Sequence, residues 1–470
     1  MINHFNFKSC NSEFLITNDF GEYAFLSKEE FKKFVTETLT EEDEIYPALL
    51  DMGFLTNKTR EQFCFEMAYK LKDMKRYTFQ GTSLHIFAIT NRCNMNCVYC
   101  QAKAPDSTLK GMMAPETARK AVEIAMESPA KYITIEFQGG EPLLNFPVIR
   151  EVVAYSKELN AQRPTEMQKD IAYTIASNLL AVTPEIADFF RENQLQVSTS
   201  LDGCLEVHDK NRPLLGGGGT FLKVKEKIQF LKQYNVPVSA TQTTTRYSLE
   251  KAQEIVNAYL DAGIGSIFIR PLTPLGFAQA YWKEIGYEPE EFVEFYRQVL
   301  DYVIEINRKG INFPETHATI LLKKILLGES ENYMELRSPC GATCGQMCYY
   351  YDGNVYTCDE GRMVAEMGNT AFQLGNVFEN SYEDLVESPV CKTTVASSIL
   401  ESLPSCSDCV YHPYCGVCPV VTFASEHDVV STNPSNYRCR VYKGMLDVLF
   451  EKVKENDPET MEIFQRWTGE

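Results

Sequence analysis

The segment Cys93-Asn94-Met95-Asn96-Cys97-Val98-Tyr99-Cys100 sets three thiols within eight residues, spaced C-x3-C-x2-C. It follows a strand-like run at residues 84–90. Thiolates so spaced on one loop can hold three irons of a [4Fe–4S] cube. No fourth cysteine lies nearby, so one iron would keep an open position, the feature that separates catalytic from structural metal sites. A zinc loop is the plainer alternative for so short a motif.

The chain has sixteen cysteines, and twelve of them fall into two groups, Cys93–Cys100 and Cys340–Cys439. The start, Met1 to Lys8, has no apolar leader, so a cytoplasmic, reducing setting is expected. Clustered cysteines there bind metal more often than they pair. Cys10, Cys64, Cys204 and Cys391 fit no spacing and are expected to be small buried residues. No apolar stretch is long enough to span a bilayer. The net charge of −19 argues against nucleic acid or an anionic membrane as a partner.

Residues 1–80 read as a small α+β domain. A hairpin is expected at 14–17 and 22–26. A helix begins at Lys28, with Ser27 as cap and Glu30 at the capping-box position, and a second spans 41–52. From 81 to 310 strands alternate with helices. The strands are placed at 84–90, 132–138, 171–177, 195–201, 237–244 and 266–270. The helices are placed at 115–127, 146–159, 184–193, 220–234, 248–260 and 289–307. Alternation at this spacing predicts an α/β fold with a parallel sheet, six βα units forming a partial (β/α)6 TIM-like barrel. Chemistry then belongs at the C-terminal ends of the strands. Polar motifs lie there: Gly139-Gly140-Glu141-Pro142, Ser177-Asn178, and Ser200-Leu201-Asp202-Gly203. The glycines let a ligand approach the backbone, and Glu141 could accept from an ammonium group. Arg212 offers a planar fork to a carboxylate. Gly216–Gly219 is a flexible loop without the lysine of a phosphate cradle.

Residues 90–100 resemble the cluster loop of the radical S-adenosylmethionine (SAM) enzymes. The resemblance implies that the open iron chelates SAM, whose reductive cleavage yields a 5′-deoxyadenosyl radical that abstracts hydrogen. Gly139, Gly140 and Glu141 match the family's GGEP motif, which binds the SAM amino group. Ser177, Asn178, Ser200 and Asp202 match SAM-contacting positions of peptide-modifying relatives, and Tyr99 is grouped with them. Residues 208–213 resemble the H-D-x-x-R-P segment, in which Arg212 would pair with the SAM carboxylate.

Cys340-x12-Gly353-x4-Cys358, then Cys406-x2-Cys409-x5-Cys415-x2-Cys418, then Cys439, resembles the SPASM domain, with the last spacing of the second block one residue short. Residues 311–470 are expected to form this domain. The resemblance implies two auxiliary [4Fe–4S] clusters, hence three in all. Cys406, Cys409, Cys415 and Cys439 would hold the outer one. Cys340, Cys358 and Cys418 would hold the inner one, with Cys344 or Cys348 as fourth ligand, or with an open iron. Asp359 stands where sulfatase-maturing relatives carry a general base.

The C-terminal motifs look most like those of the His-Xaa-Ser system maturases, and the small N-terminal domain looks like winged-helix leader-binding domains. The implied function is a radical SAM oxidoreductase that cross-links a ribosomally made precursor peptide through a thioether or carbon–carbon bond. An electron donor such as flavodoxin or ferredoxin would serve it, and a second maturase could share the peptide. The alternatives are a sulfatase-type maturase forming formylglycine and, in another class, a zinc-stabilised binding protein.

Overall fold

The computed structural model describes residues 1–102, 111–329, 331–431 and 436–469. Twelve strands are found among them: β1 (Asn6–Cys10), β2 (Glu13–Thr17), β3 (Tyr23–Ser27), β4 (Leu84–Ala88), β5 (Tyr132–Gln138), β6 (Asp170–Ala176), β7 (Gln196–Ser200), β8 (Val238–Thr243), β9 (Phe268–Arg270), β10 (Gln346–Tyr350), β11 (Asn354–Tyr356) and β12 (Gln373–Asn376). They form a three-stranded antiparallel sheet, β1-β2-β3, and a nine-stranded sheet of order β12-β11-β10-β4-β5-β6-β7-β8-β9.

The six expected strands are β4 to β9, all parallel. The helices between them bury one face each. In Pro115–Glu127 that face carries Ala118, Ala121, Val122 and Ala125, the i, i+3, i+4, i+7 spacing of a single helical stripe. The alternation of β5 works in the same way: Ile133, Ile135 and Phe137 are buried toward the helices, while Thr134, Glu136 and Gln138 point to the other side. Side chains from every strand β4 to β9 line one cavity, so the sheet wraps around it.

The sheet continues past the expected domain limit at 310. β10 lies parallel to β4, with Gln346 opposite Leu84 and Tyr350 opposite Ala88. β11 and β12 extend that edge antiparallel. These strands carry little sequence signal: β10 is buried at all five positions, so it shows no alternation, and the other two have three and four residues.

At the N-terminus the expected hairpin is β2-β3, and β1 joins it as a third strand. The Ser27–Glu30 capping box forms as expected. The second helix is shorter than expected, Tyr46–Asp51, because Pro47 suits only its first turn. The helix Arg60–Met74 was not foreseen. Its apolar residues, Phe63, Phe65, Met67, Tyr69 and Leu71, recur every second position and therefore spread around the helix, which buries none of its residues. Cys64 lies on it exposed, a correction to its expected burial; Cys10 and Cys204 are half-buried, and Cys391 is buried. The small sheet rests on the C-terminal region: Thr17 Oγ1 donates to Val410 O (2.7 Å), Tyr414 OH donates to Gly21 O (2.8 Å), and Tyr23 meets Phe450 edge to face. Among the described residues no helix is long and apolar enough to cross a membrane.

Candidate active site

The thiol loop lies over the C-terminal end of the barrel and is tied to the segment after β7. Asn96 N donates to Pro213 O (2.8 Å) and Val98 N to Asn211 O (2.9 Å). Asn178 Nδ2 donates to Asn94 Oδ1 (2.7 Å) and reaches Cys93 Sγ at 3.9 Å, while Arg212 reaches Cys97 Sγ at 4.0 Å. Cys93, Cys97 and Cys100 all face the central cavity, whose volume is about 1150 Å³. Gly139, Gly140, Ser177, Asn178, Ser200, Arg212 and Tyr99 line the same space.

The two glycines are required by close packing. A Cβ at Gly139 would sit 2.2 Å from Thr90 O, and one at Gly140 would sit 2.3 Å from Arg92 O. Their backbones instead lock the strand end to the thiol loop: Gly140 N donates to Thr90 O (2.7 Å) and Glu141 N to Arg92 O (2.8 Å).

Two residues expected to contact SAM lie outside the cavity lining. Glu141 is fully buried and does not line the cavity. Its carboxylate accepts from Ser177 Oγ (2.8 Å), Asn178 N (2.7 Å) and Leu143 N (3.0 Å), so it holds the end of β6. Burial pushes its pKa up to about 7, against those three donors. Asp202 is also fully buried outside the lining. It accepts from Tyr99 OH (2.6 Å), Arg212 Nε (3.0 Å), Asn211 Nδ2 (3.1 Å) and Thr243 N (3.2 Å). The Arg212 fork is thus engaged by Asp202 on its Nε side, and its guanidinium lies over the Tyr99 ring. The GGEP spacing located this strand end correctly; it carried no signal for which way the carboxylate turns.

Asp359 and Glu360 line the same cavity, at the start of the helix Asp359–Glu366. Arg362, whose side chain is 1% exposed, grips Asp359 through Nε (3.1 Å) and through NH2. The sequence reading missed Glu136, Gln138, Thr243 and Arg270, which also line the cavity. The signal was available on β5. In a parallel sheet covered by helices, alternating polar residues must face a wet interior.

The second cysteine field divides in two. Cys340, Cys358 and Cys418 share a buried apolar cluster with Val364, Phe372 and Val420. Cys344 stands beside them, its Sγ 3.3 Å from Cys340 O. Cys348 does not: it packs among Ile86, Tyr350 and Tyr356. Of the two candidate fourth ligands, only Cys344 is gathered with the inner set. Cys406, Cys409, Cys415 and Cys439 together line a separate cavity of about 70 Å³.

None of the sixteen cysteines forms a disulfide. Burial pushes Cys340 and Cys406 up to about 11 and Cys415 up to about 12. Thiolates at these positions need added positive charge, which iron supplies. Among the described residues no three His, Cys, Asp or Glu side chains converge as they would on a single ion. The buried Nε–H of Arg438, in the wall of the 70 Å³ cavity, has no acceptor among the described residues, as a site shaped for a sulfur-rich group would leave it. The three thiol sets fit iron–sulfur clusters, and the polar cavity wall fits a ligand as large as SAM.

Residues 87–258 match the family model of the radical SAM superfamily, and residues 340–410 match that of the SPASM iron–sulfur cluster-binding domain. The chain thus carries a radical SAM domain over the first span and a SPASM domain over the second. These domains imply [4Fe–4S] clusters and bound SAM.

The chain is 33% identical over 189 residues to an uncharacterized protein of Methanocaldococcus jannaschii, covering 40% of this chain and 62%, less than two thirds, of that relative. It is 25% identical over 342 residues to a cysteine-type anaerobic sulfatase-maturating enzyme of Clostridium novyi, covering 72% of this chain and 87% of that one. To the radical SAM cyclopropyl synthase TigE of Paramaledivibacter caminithermalis it is 22% identical over 464 residues, covering 94% and 87%. The solved structure of anSMEcpe with bound AdoMet matches at a TM-score of 0.67 and 21% identity, covering 80% of this chain and 98% of that one. Streptococcus suis SuiB bound to precursor peptide SuiA matches at 0.54 and 14%, covering 93% and 98%. Both share the fold.

Proposed function

We propose that this protein abstracts hydrogen from a ribosomally made precursor peptide and oxidatively installs a cross-link, thioether or carbon–carbon, using three [4Fe–4S] clusters. One observation carries the reading. A single cavity of about 1150 Å³ is lined both by Cys93, Cys97 and Cys100 and by Asp359 and Glu360, which follow Cys358 of the inner thiol set. A peptide side chain held there lies between the SAM site and an auxiliary centre. SAM on the first cluster supplies the hydrogen-abstracting chemistry. The protein's part is positioning: Asn178, Ser200 and Arg212 orient the cofactor, and Asp359, steadied by Arg362, is placed to take a substrate proton.

The small N-terminal sheet supports leader binding. β1 is its outer strand, and an extended peptide can add to such an edge. Phe7 on β1 is 54% exposed and stands against Phe14 and Phe31. Deleting the domain would strip contacts from Tyr414 and Phe450, so a point change is the cleaner probe. Phe7→Asp is expected to weaken precursor binding at least about tenfold by fluorescence anisotropy. Unchanged affinity would end the leader assignment.

Formylglycine formation is the second reading, favoured by the sulfatase-maturating relatives and by Asp359 at the cavity wall. The deciding experiment is anaerobic turnover with SAM, a reductant and the small peptide encoded beside the gene, read by tandem mass spectrometry. Loss of two hydrogens mapped to two joined residues supports the cross-link. An aldehyde that reacts with a hydrazide probe replaces it with formylglycine. Zinc in place of iron would overturn both.

A further inference from the structure

We propose that Arg438 is a built-in counter-charge for the outer auxiliary centre, donating its Nε–H to a sulfur there and raising that centre's reduction potential above that of the inner one. This rests on the iron–sulfur reading of the SPASM thiols. The argument begins with the cavity of about 70 Å³ that Cys406, Cys409, Cys415 and Cys439 line together. Two cations share its wall, Arg438 and Lys443.

Arg438 is fixed on its other sides. NH2 donates to Glu335 O (3.0 Å), NH1 reaches Tyr442 OH (3.4 Å), and the guanidinium lies over the Tyr442 ring at 4.4 Å. Glu335 Oε2 is 3.7 Å from NH1, and Glu335 is also held by Arg270 of the central cavity. Of its three nitrogens, Nε is the one that is buried and without an acceptor among the described residues. A buried donor in that state is costly unless something at the site accepts from it. Cluster sulfur in a cavity walled by four thiolates is the acceptor of the right kind. Arginine keeps its charge at every working pH.

The field of Arg438 acts on Cys415 of the outer set and on Cys418 of the inner set. Positive charge and hydrogen bonds to sulfur both favour the reduced, more negative cluster. The inner centre receives the charge alone; the outer centre receives the charge and the hydrogen bond. Lys443 faces the same four outer thiols but is only half-buried, so water and salt screen it.

The test is an anaerobic redox titration of the full-length reconstituted chain, followed by electron paramagnetic resonance. The auxiliary signals are told apart from the first cluster by their indifference to added SAM. The higher auxiliary potential is expected to fall in Arg438→Gln and to fall by less in Arg438→Lys, which keeps the charge but loses the Nε–H. Lys443→Gln is expected to shift it least, with an effect that shrinks as salt rises. Unmoved potentials in both Arg438 variants overturn the proposal. If Arg438→Gln loses iron, the lysine variant decides. Wild-type protein that holds iron for one cluster only, instead of about a dozen atoms, removes the auxiliary centres themselves. That failure is distinct from three loaded clusters with unshifted potentials.

Discussion

Replacing Cys93, Cys97 or Cys100 by alanine is expected to reduce SAM cleavage to background. Each thiol faces the central cavity from the same short loop, and the open-iron arrangement uses all three. With two thiolates left, the cube has two irons without protein ligands, and it is lost or misplaced relative to the strand ends. The readout is 5′-deoxyadenosine after incubation with SAM and dithionite, with no peptide present. A Cys93→Ala protein that still forms it at the wild-type rate would refute the assignment of the first cluster. The control is Cys64→Ala. Cys64 is exposed on the helix Arg60–Met74, so that variant should behave as wild type.

The second large effect is expected at Asp202. This carboxylate has no exposure and accepts four hydrogen bonds, one from the buried guanidinium of Arg212 at 3.0 Å. Asp202→Ala leaves that cation buried without its partner. Breaking a buried pair from one side costs about 3–5 kcal/mol. It also releases Tyr99 and Asn211, whose backbone neighbours clamp the thiol loop. Urea unfolding should show the midpoint fall sharply, and SAM affinity should fall with it. Asp202→Asn keeps a single acceptor oxygen, which can serve Tyr99 and Arg212 on one side or Thr243 on the other, and should lie between wild type and Asp202→Ala. An unchanged midpoint in Asp202→Ala would mean that the pair is not the anchor described here.

Much of the barrel was readable because its physics is local. Hydrophobic period and turn chemistry placed β4 to β9 within a few residues, and Ser27 with Glu30 announced its own helix start. The site was readable where spacing fixes geometry, as in the three-thiol loop and the glycine pair. It was not readable where orientation depends on distant partners. Glu141 turns inward because Ser177 and Asn178, a strand away, offer donors, and nothing in the four residues Gly139–Pro142 encodes them. Cys348 and Cys344 are equally plausible as letters; only their packing separates them, Cys348 on β10 among Ile86, Tyr350 and Tyr356 and Cys344 before that strand, beside Cys340. β10 itself was hidden because burial on both faces erases the alternation by which strands are recognised.

The pairing of β10 with β4 also bears on how the molecule is made. β4 leads directly into the thiol loop, yet one of its two neighbours comes from residues 346–350, far along the chain. While the polypeptide emerges from the ribosome, that edge stays bare until the late strand arrives. Contacts of such long sequence separation form slowly, and unpaired strand edges invite aggregation. A shortened protein ending near residue 310, or a chimera joined there, will present an unfinished sheet rather than an independent barrel.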